Sequence, residues 1–148
     1  AAGIALARRL DGESGKSWVF MSDGEFEEGQ TYEAIQAMCH YKLDTLGVYV
    51  DVNGQQVDGA TKEVMNIEPL ADRLTGFGAQ VEIVDGHDIE ALEAASRVEH
   101  EGKPLFVLCY TDTTRGVPML EERKPYVHFV RFKSEEEKEK LRSLLDTM

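Results

Sequence analysis

Short apolar runs alternate along this chain with longer stretches in which apolar residues recur every three or four positions. Trp-Val-Phe-Met at 18–21, the run over 46–52, Val-Glu-Ile-Val at 81–84 and Leu-Phe-Val-Leu-Cys-Tyr at 105–110 predict four strands. The 46–52 run is apolar on both faces, as a central parallel strand should be. Helical spacing predicts helices over 1–10 and over 25–41, where Tyr32, Ile35, Met38 and Cys39 mark the apolar side. A further helix is expected from Pro69 to residue 74, ended by Gly76 and Gly78. Another runs over 89–99, capped by Asp88. Residues 53–59 read as a glycine-punctuated loop and 112–133 as an irregular segment. Ser134-Glu135-Glu136-Glu137 reads as a capping box opening a terminal helix over 134–148, with Leu141, Leu144 and Leu145 inward. Its acidic first turn suits the helix dipole. Strands alternating with helices through short connections imply right-handed crossovers. The expected fold is α/β, a mostly parallel sheet with helices on both faces, in one domain over 1–148.

Composition narrows the function. A chain of 148 residues with 42% hydrophobic content suits one globular domain. A net charge of −12 argues against nucleic acid, which demands a basic surface, and against anionic membranes. Such a chain can still bind a diphosphate through a divalent cation. Cys39 and Cys109 are too few for a disulfide framework and read as small buried hydrophobes. No run is long enough to span a bilayer and no secretory pattern is present, so the cytoplasm is the expected location. The chain opens without methionine inside a helical pattern, which reads as a processed chain or as a fragment with residues missing upstream.

Two strand ends carry the chemistry. Ser22-Asp23-Gly24-Glu25 follows the first strand and Asp51-Val52-Asn53-Gly54 closes the second. Open parallel sheets bind ligands just beyond the carboxyl ends of their strands. There, the Asp23 carboxylate and the Asn53 amide supply two oxygens to one point, a donor set for a hard cation such as magnesium. Asp51 reads as a structural or supporting residue. His87 suits a turn or cap, His40 a helix end and His100 the surface. Lys42 and Arg115 read as solvent-facing charges; Trp18, Tyr32 and Met38 as core or interface. A phosphatase- or receiver-like magnesium site using Asp23 and Asp51 fits the fold but lacks the nucleophile context.

The spacing from Ser22 through Glu33-Ala34, then Tyr41-Lys42-Leu43-Asp44 through Gly59, resembles the thiamine-diphosphate signature of transketolases. The runs Glu68-Pro69-Leu70-Ala71-Asp72-Arg73-Leu74 and Val84-Asp85-Gly86-His87-Asp88 extend the likeness, which covers residues 1–111. The chain is similar to the amino-terminal subunit of transketolases split into two chains. That resemblance implies thiamine diphosphate and Mg2+ (or Ca2+) as cofactors. It implies cofactor contacts at Asp23, Gly24, Glu25 and Asn53, and metal ligation by Asp23, Asn53 and the backbone carbonyl of Gln55. The helix expected after Gly24 and Glu25 would turn its free N–H groups toward the diphosphate. Glu28 and Glu33 match carboxylates linking paired active sites, with Glu28 expected to be partly buried at a subunit interface. His128 lies near the place of a substrate histidine.

The implied reaction is two-carbon ketol transfer from a ketose to an aldose sugar. Ser22 stands where the family has a glycine, residues 111–118 replace a basic glycine-rich segment, and the upstream histidine-bearing stretch is missing. The pyrimidine-binding domain is also missing. The implied partners are therefore a complementary subunit carrying that domain and a further chain supplying the upstream region. Two other readings stay open: a non-catalytic scaffold or regulatory subunit, and a thiamine-dependent enzyme of the 2-oxo acid dehydrogenase type.

Overall fold

A computed structural model describes residues 1–124 and 126–146. Thr147 and Met148, the end of the expected terminal helix, lie outside the described residues. The chain runs α1 (Ala2–Leu10), β1 (Ser17–Ser22), a 3-10 turn (Asp23–Glu27), α2 (Gly29–His40) and β2 (Leu46–Val52). Then come the short strands β3 (Gln55–Gln56) and β4 (Gly59–Ala60), α3 (Thr61–Val64), α4 (Leu70–Phe77), β5 (Gln80–Asp85), α5 (Ile89–Ser96), β6 (Leu105–Tyr110) and α6 (Glu135–Leu145).

The main sheet has strand order β1-β2-β6-β5, and every pairing is parallel. Its register aligns the carboxyl ends. Ser22 pairs with Asp51, Val52 with Tyr110, and Asp85 with Tyr110. The residues just past those positions therefore converge on one edge of the sheet.

The larger core lies on one face, where α1, α2 and α4 pack on β2 and β6. Ile35, Met38, Leu70 and Leu74 meet Val48, Val50, Phe106 and Leu108 there. Burying aliphatic side chains of this size contributes roughly 1.5–3 kcal/mol each. The opposite face carries α5 alone, with Leu92 and Ala95 on Leu105, Val107 and Cys109. Helices thus cover both faces, unequally. No helix among the described residues is long and apolar enough to cross a membrane.

Several local expectations need correction. The helix expected over 25–41 breaks at Glu28, whose extended backbone (φ −91°, ψ 127°) separates the 3-10 turn from α2. Gly24 and Glu25 therefore open a five-residue turn and no α-helix. Residues 53–59 contain the start of a hairpin, in which Gln55 pairs with Ala60. Pro69 precedes α4, which runs past Gly76 and ends at Gly78, whose φ of +100° a side chain would strain. The helix after Asp88 stops at Ser96, although the Asp88 carboxylate accepts from Ala91 N–H at 3.0 Å as a cap should.

Within 112–133, residues Pro118–Arg123 form a 3-10 turn. Ser134 caps α6 by accepting from Glu137 N–H at 3.2 Å. The Glu137 carboxylate takes the N–H of Lys133 at 2.5 Å, shifting the reciprocal half of the box by one residue. Leu145 is exposed, while Leu141 and Leu144 are half-buried. His100 is buried, where the surface was expected. Its Nε2 accepts from the Lys16 ammonium at 2.9 Å, and its Nδ1–H donates to the Lys103 carbonyl at 2.7 Å. Cys109 is buried as expected and Cys39 is half-buried.

Candidate cofactor and metal site

Asp23 stands one residue past β1 and is only 1% exposed. Its Oδ2 accepts from the Gly54 N–H at 2.7 Å, which ties the end of β1 to the loop after β2. Its Oδ1 is buried without a hydrogen-bond partner. Burial pushes the carboxyl up to about 6; the Gly54 and Gly24 N–H groups pull it down, and nearby Asp51 adds a smaller upward push. A buried carboxylate oxygen left unpaired is costly unless a cation meets it.

Asn53 directly precedes Gly54, whose N–H holds that carboxylate, and lines the same cavity. Its Nδ2 donates to Asp51 Oδ2 at 2.7 Å and its Oδ1 accepts from Gln55 N–H at 2.9 Å. An amide oxygen has two lone pairs, so one remains for a metal. Asp51 is in turn gripped by the Thr111 hydroxyl, which donates to Oδ1. The supporting role expected of Asp51 is visible here: it fixes which end of the Asn53 amide is the oxygen.

Gln55 is buried; its Nε2 donates to Thr113 Oγ1 at 3.2 Å and its Oε1 lacks a partner. Asp23, Asn53, Gly54 and Gln55 line one cavity of about 810 Å³ at the carboxyl edge of the sheet. Among the described residues, no group of three His, Cys, Asp or Glu side chains could hold a metal. Where the end of β1 meets the loop after β2, the oxygen donors are the Asp23 carboxylate, the Asn53 amide and backbone carbonyls; Glu63, Glu68 and Asp112 also line the cavity. That set suits magnesium, which takes one or two carboxylates and completes its shell with water and phosphate oxygens. The residues present fit a diphosphate-bound cation.

The remaining expected residues divide. Gly24 packs under the hairpin, where a Cβ would stand 3.1 Å from the Gln56 Cβ. Ser22 replaces a glycine without strain, because its backbone is extended (φ −98°, ψ 161°). Its N–H donates to the Glu25 carboxylate at 2.9 Å, so Glu25 caps its own turn and does not line the cavity. Glu28 and Glu33 are exposed in this chain and line separate surface depressions. His128 is exposed and outside the cavity lining.

Sequence reasoning missed Lys62, Glu68, Tyr110 and Lys124, which also line the cavity. Lys124 Nζ lies 2.9 Å from Asp112 and 3.0 Å from Glu121. The Thr114 hydroxyl and N–H, then Lys124, hold the Asp112 carboxyl well below the usual range. Burial and neighbouring Glu68 push the Tyr110 hydroxyl up. Pro69, which directly follows Tyr110's partner Glu68, was the one nearby signal in the sequence. Arg115 lies 3.9 Å from Asp85 at the surface, as a solvent-facing charge should.

Residues 11–145 match the family described as "Transketolase, thiamine diphosphate binding domain". A transketolase family protein of Sinorhizobium fredii is 39% identical over 145 residues, covering 96% of this chain and 52% of that protein. An apulose-4-phosphate transketolase subunit of Phocaeicola vulgatus is 36% identical over 130 residues, covering 86% and 46% respectively. The structure of a Pichia stipitis transketolase in complex with sedoheptulose-7-phosphate superposes with a TM-score of 0.70 at 30% identity. It covers 74% of this chain and 18% of that one. The chain thus spans about half the length of the curated relatives it matches. With a parallel sheet whose carboxyl edge gathers an aspartate and an asparagine over one cavity, the chain belongs to the transketolase family and corresponds to its thiamine diphosphate binding domain.

Proposed function

We propose that this chain holds the diphosphate–magnesium end of thiamine diphosphate in an enzyme that transfers a two-carbon ketol unit from a ketose to an aldose. The observation that carries the reading is the buried, unpartnered Oδ1 of Asp23, a residue that lines the same cavity as Asn53. In it, Asp23 and Asn53 supply side-chain oxygens and Gln55 its backbone carbonyl to the cation. Gly54 N–H keeps Asp23 aimed, and Asp51 keeps the Asn53 oxygen turned inward. Lys62 borders the cavity and offsets some negative charge near the diphosphate, while Lys124 is already paired with Asp112 and Glu121. The bound coenzyme supplies the carbon nucleophile for the ketose carbonyl. This chain binds, orients and neutralises.

Turnover in this reading needs a complementary subunit carrying the pyrimidine-binding domain, and polypeptide equivalent to the half of the relatives not spanned here. Three relatives are named as transketolase subunits, which supports a divided assembly. Glu28 and Glu33, exposed in this chain, are then surfaces offered to a second active site, and His128 a residue placed by assembly. The experiment is a ketol-transfer assay on the reconstituted assembly with Asp23→Ala. Loss of transfer is expected; undiminished transfer would mean that this chain is a scaffold.

A further inference from the structure

The brace on Asn53 does not end at Asp51. Thr111, whose hydroxyl donates to Asp51 Oδ1, directly follows β6, and its N–H donates to the Val52 carbonyl at 3.2 Å. The turn between β5 and α5 grips the chain on either side of it. Gly86 N–H donates to the Tyr110 carbonyl at 2.9 Å, and His87 Nε2 accepts the Asp112 N–H at 2.8 Å. Gly86 lets that turn come close: a Cβ there would stand 2.4 Å from the Thr111 methyl carbon and 3.1 Å from Cys109 Cβ. The Asp112 carboxylate is engaged elsewhere, with the Thr114 N–H at 2.9 Å and the Lys124 ammonium at 2.9 Å. An accepting Nε2 carries no proton, so the His87 imidazole is the Nδ1–H tautomer. Its ring takes no part in capping α5, which the Asp88 carboxylate does. The His87 N–H is held by Asp85 Oδ1 at 2.9 Å, which fixes where the ring starts.

A hydroxyl aimed at a carboxylate needs its backbone fixed on both sides, and the two bonds to the Gly86-His87 turn flank Thr111 in this way. Groups that hold a metal ligand from behind set its orientation, and their loss weakens metal binding. We infer that His87 is a positioning residue for the cation. Through the Asp112 N–H it fixes Thr111, Thr111 fixes Asp51, and Asp51 turns the Asn53 oxygen toward the metal. His87 lies outside the lining of the diphosphate cavity, so it acts only through these bonds. The inference rests on the proposed diphosphate–magnesium site and adds a residue that governs it from a different strand connection.

The test titrates manganese(II), in place of magnesium, into the assembled protein with thiamine diphosphate and follows it by electron paramagnetic resonance. His87→Ala should weaken manganese binding about tenfold, the lower end of what losing a partner of a metal ligand costs, and broaden the bound-metal spectrum. The amide oxygen of His87→Gln reaches the place of Nε2 and should restore both. That of His87→Asn reaches only the place of Nδ1 and should not. In Thr111→Val, which lacks the hydroxyl, adding His87→Ala should weaken binding no further. Thermal unfolding without metal checks that each variant folds; a merely structural histidine would lower Tm without separating the Gln and Asn variants in metal binding. His87→Ala binding as wild type, no rescue by Gln, or a full further loss in the Thr111→Val background overturns the inference while leaving the cation site standing. A wild type that takes up no manganese with the coenzyme overturns both.

Discussion

Asp23→Asn should stabilise the chain in the absence of metal at neutral pH and abolish its response to magnesium. The folded carboxyl ionises at about 6 against 3.8 for the ordinary group. That difference, 6 − 3.8 = 2.2, corresponds to about 3 kcal/mol at 1.36 kcal/mol per pH unit. The fold therefore holds the proton more tightly than the unfolded chain does, and ionised Asp23 costs stability. The penalty is absent below the unfolded value, grows between about pH 4 and 6, and is complete above. Asparagine keeps an oxygen for the Gly54 N–H and carries no charge. Its amide N–H at the Oδ1 position, which now has no partner, returns roughly 1 kcal/mol of the gain. The net is about 2 kcal/mol, or roughly 4–8 °C in Tm for a domain of this size.

Thermal unfolding in a chelator, from about pH 4 to 8, should show the variant's advantage growing with pH. With magnesium and thiamine diphosphate at about a hundred times Kd, the wild type should gain about 2.7 kcal/mol and overtake it. A variant less stable than wild type at about pH 8 without metal, or a difference independent of pH, would refute the reasoning.

Asp51→Asn should leave the fold intact but lower magnesium affinity roughly tenfold to a hundredfold by calorimetry, because it loosens the Asn53 amide. It should also move the Asp23 ionisation downward, since Asp51 pushes it up. Gly47→Ala should cost about 1–3 kcal/mol and shift Trp18 emission, because the new Cβ displaces the indole. Leu70→Ala, at a fully buried position, should cost about 2–5 kcal/mol in denaturant unfolding.

Where apolar runs meet turn residues, the sequence and the fold agree. Leu46–Val52 is apolar on both faces and proves to be an inner strand between β1 and β6. Asp23 was legible because it directly follows such a run. The break at Glu28 was not, since Glu25 to Tyr41 has continuous helical composition and nothing in it marks an extended residue. The β3–β4 hairpin is too short for periodicity to register. His100 looked solvated because its partner Lys16, eighty-four residues away, meets it only in three dimensions. The same holds for the hydroxyls of Thr111 and Thr113, which brace Asp51 and Gln55 from sixty and fifty-eight residues away. Leu145 fitted an inward stripe, yet α6 turns it to solvent.

The direct test of the diphosphate–magnesium site is calorimetric titration of thiamine diphosphate into the assembled protein, with magnesium and with chelator, for wild type and Asn53→Ala. One coenzyme per copy of this chain, bound only when magnesium is present and lost or weakened at least tenfold in the variant, is the predicted result. Equal affinity with and without the cation, or an Asn53→Ala protein that binds as wild type does, would contradict the account.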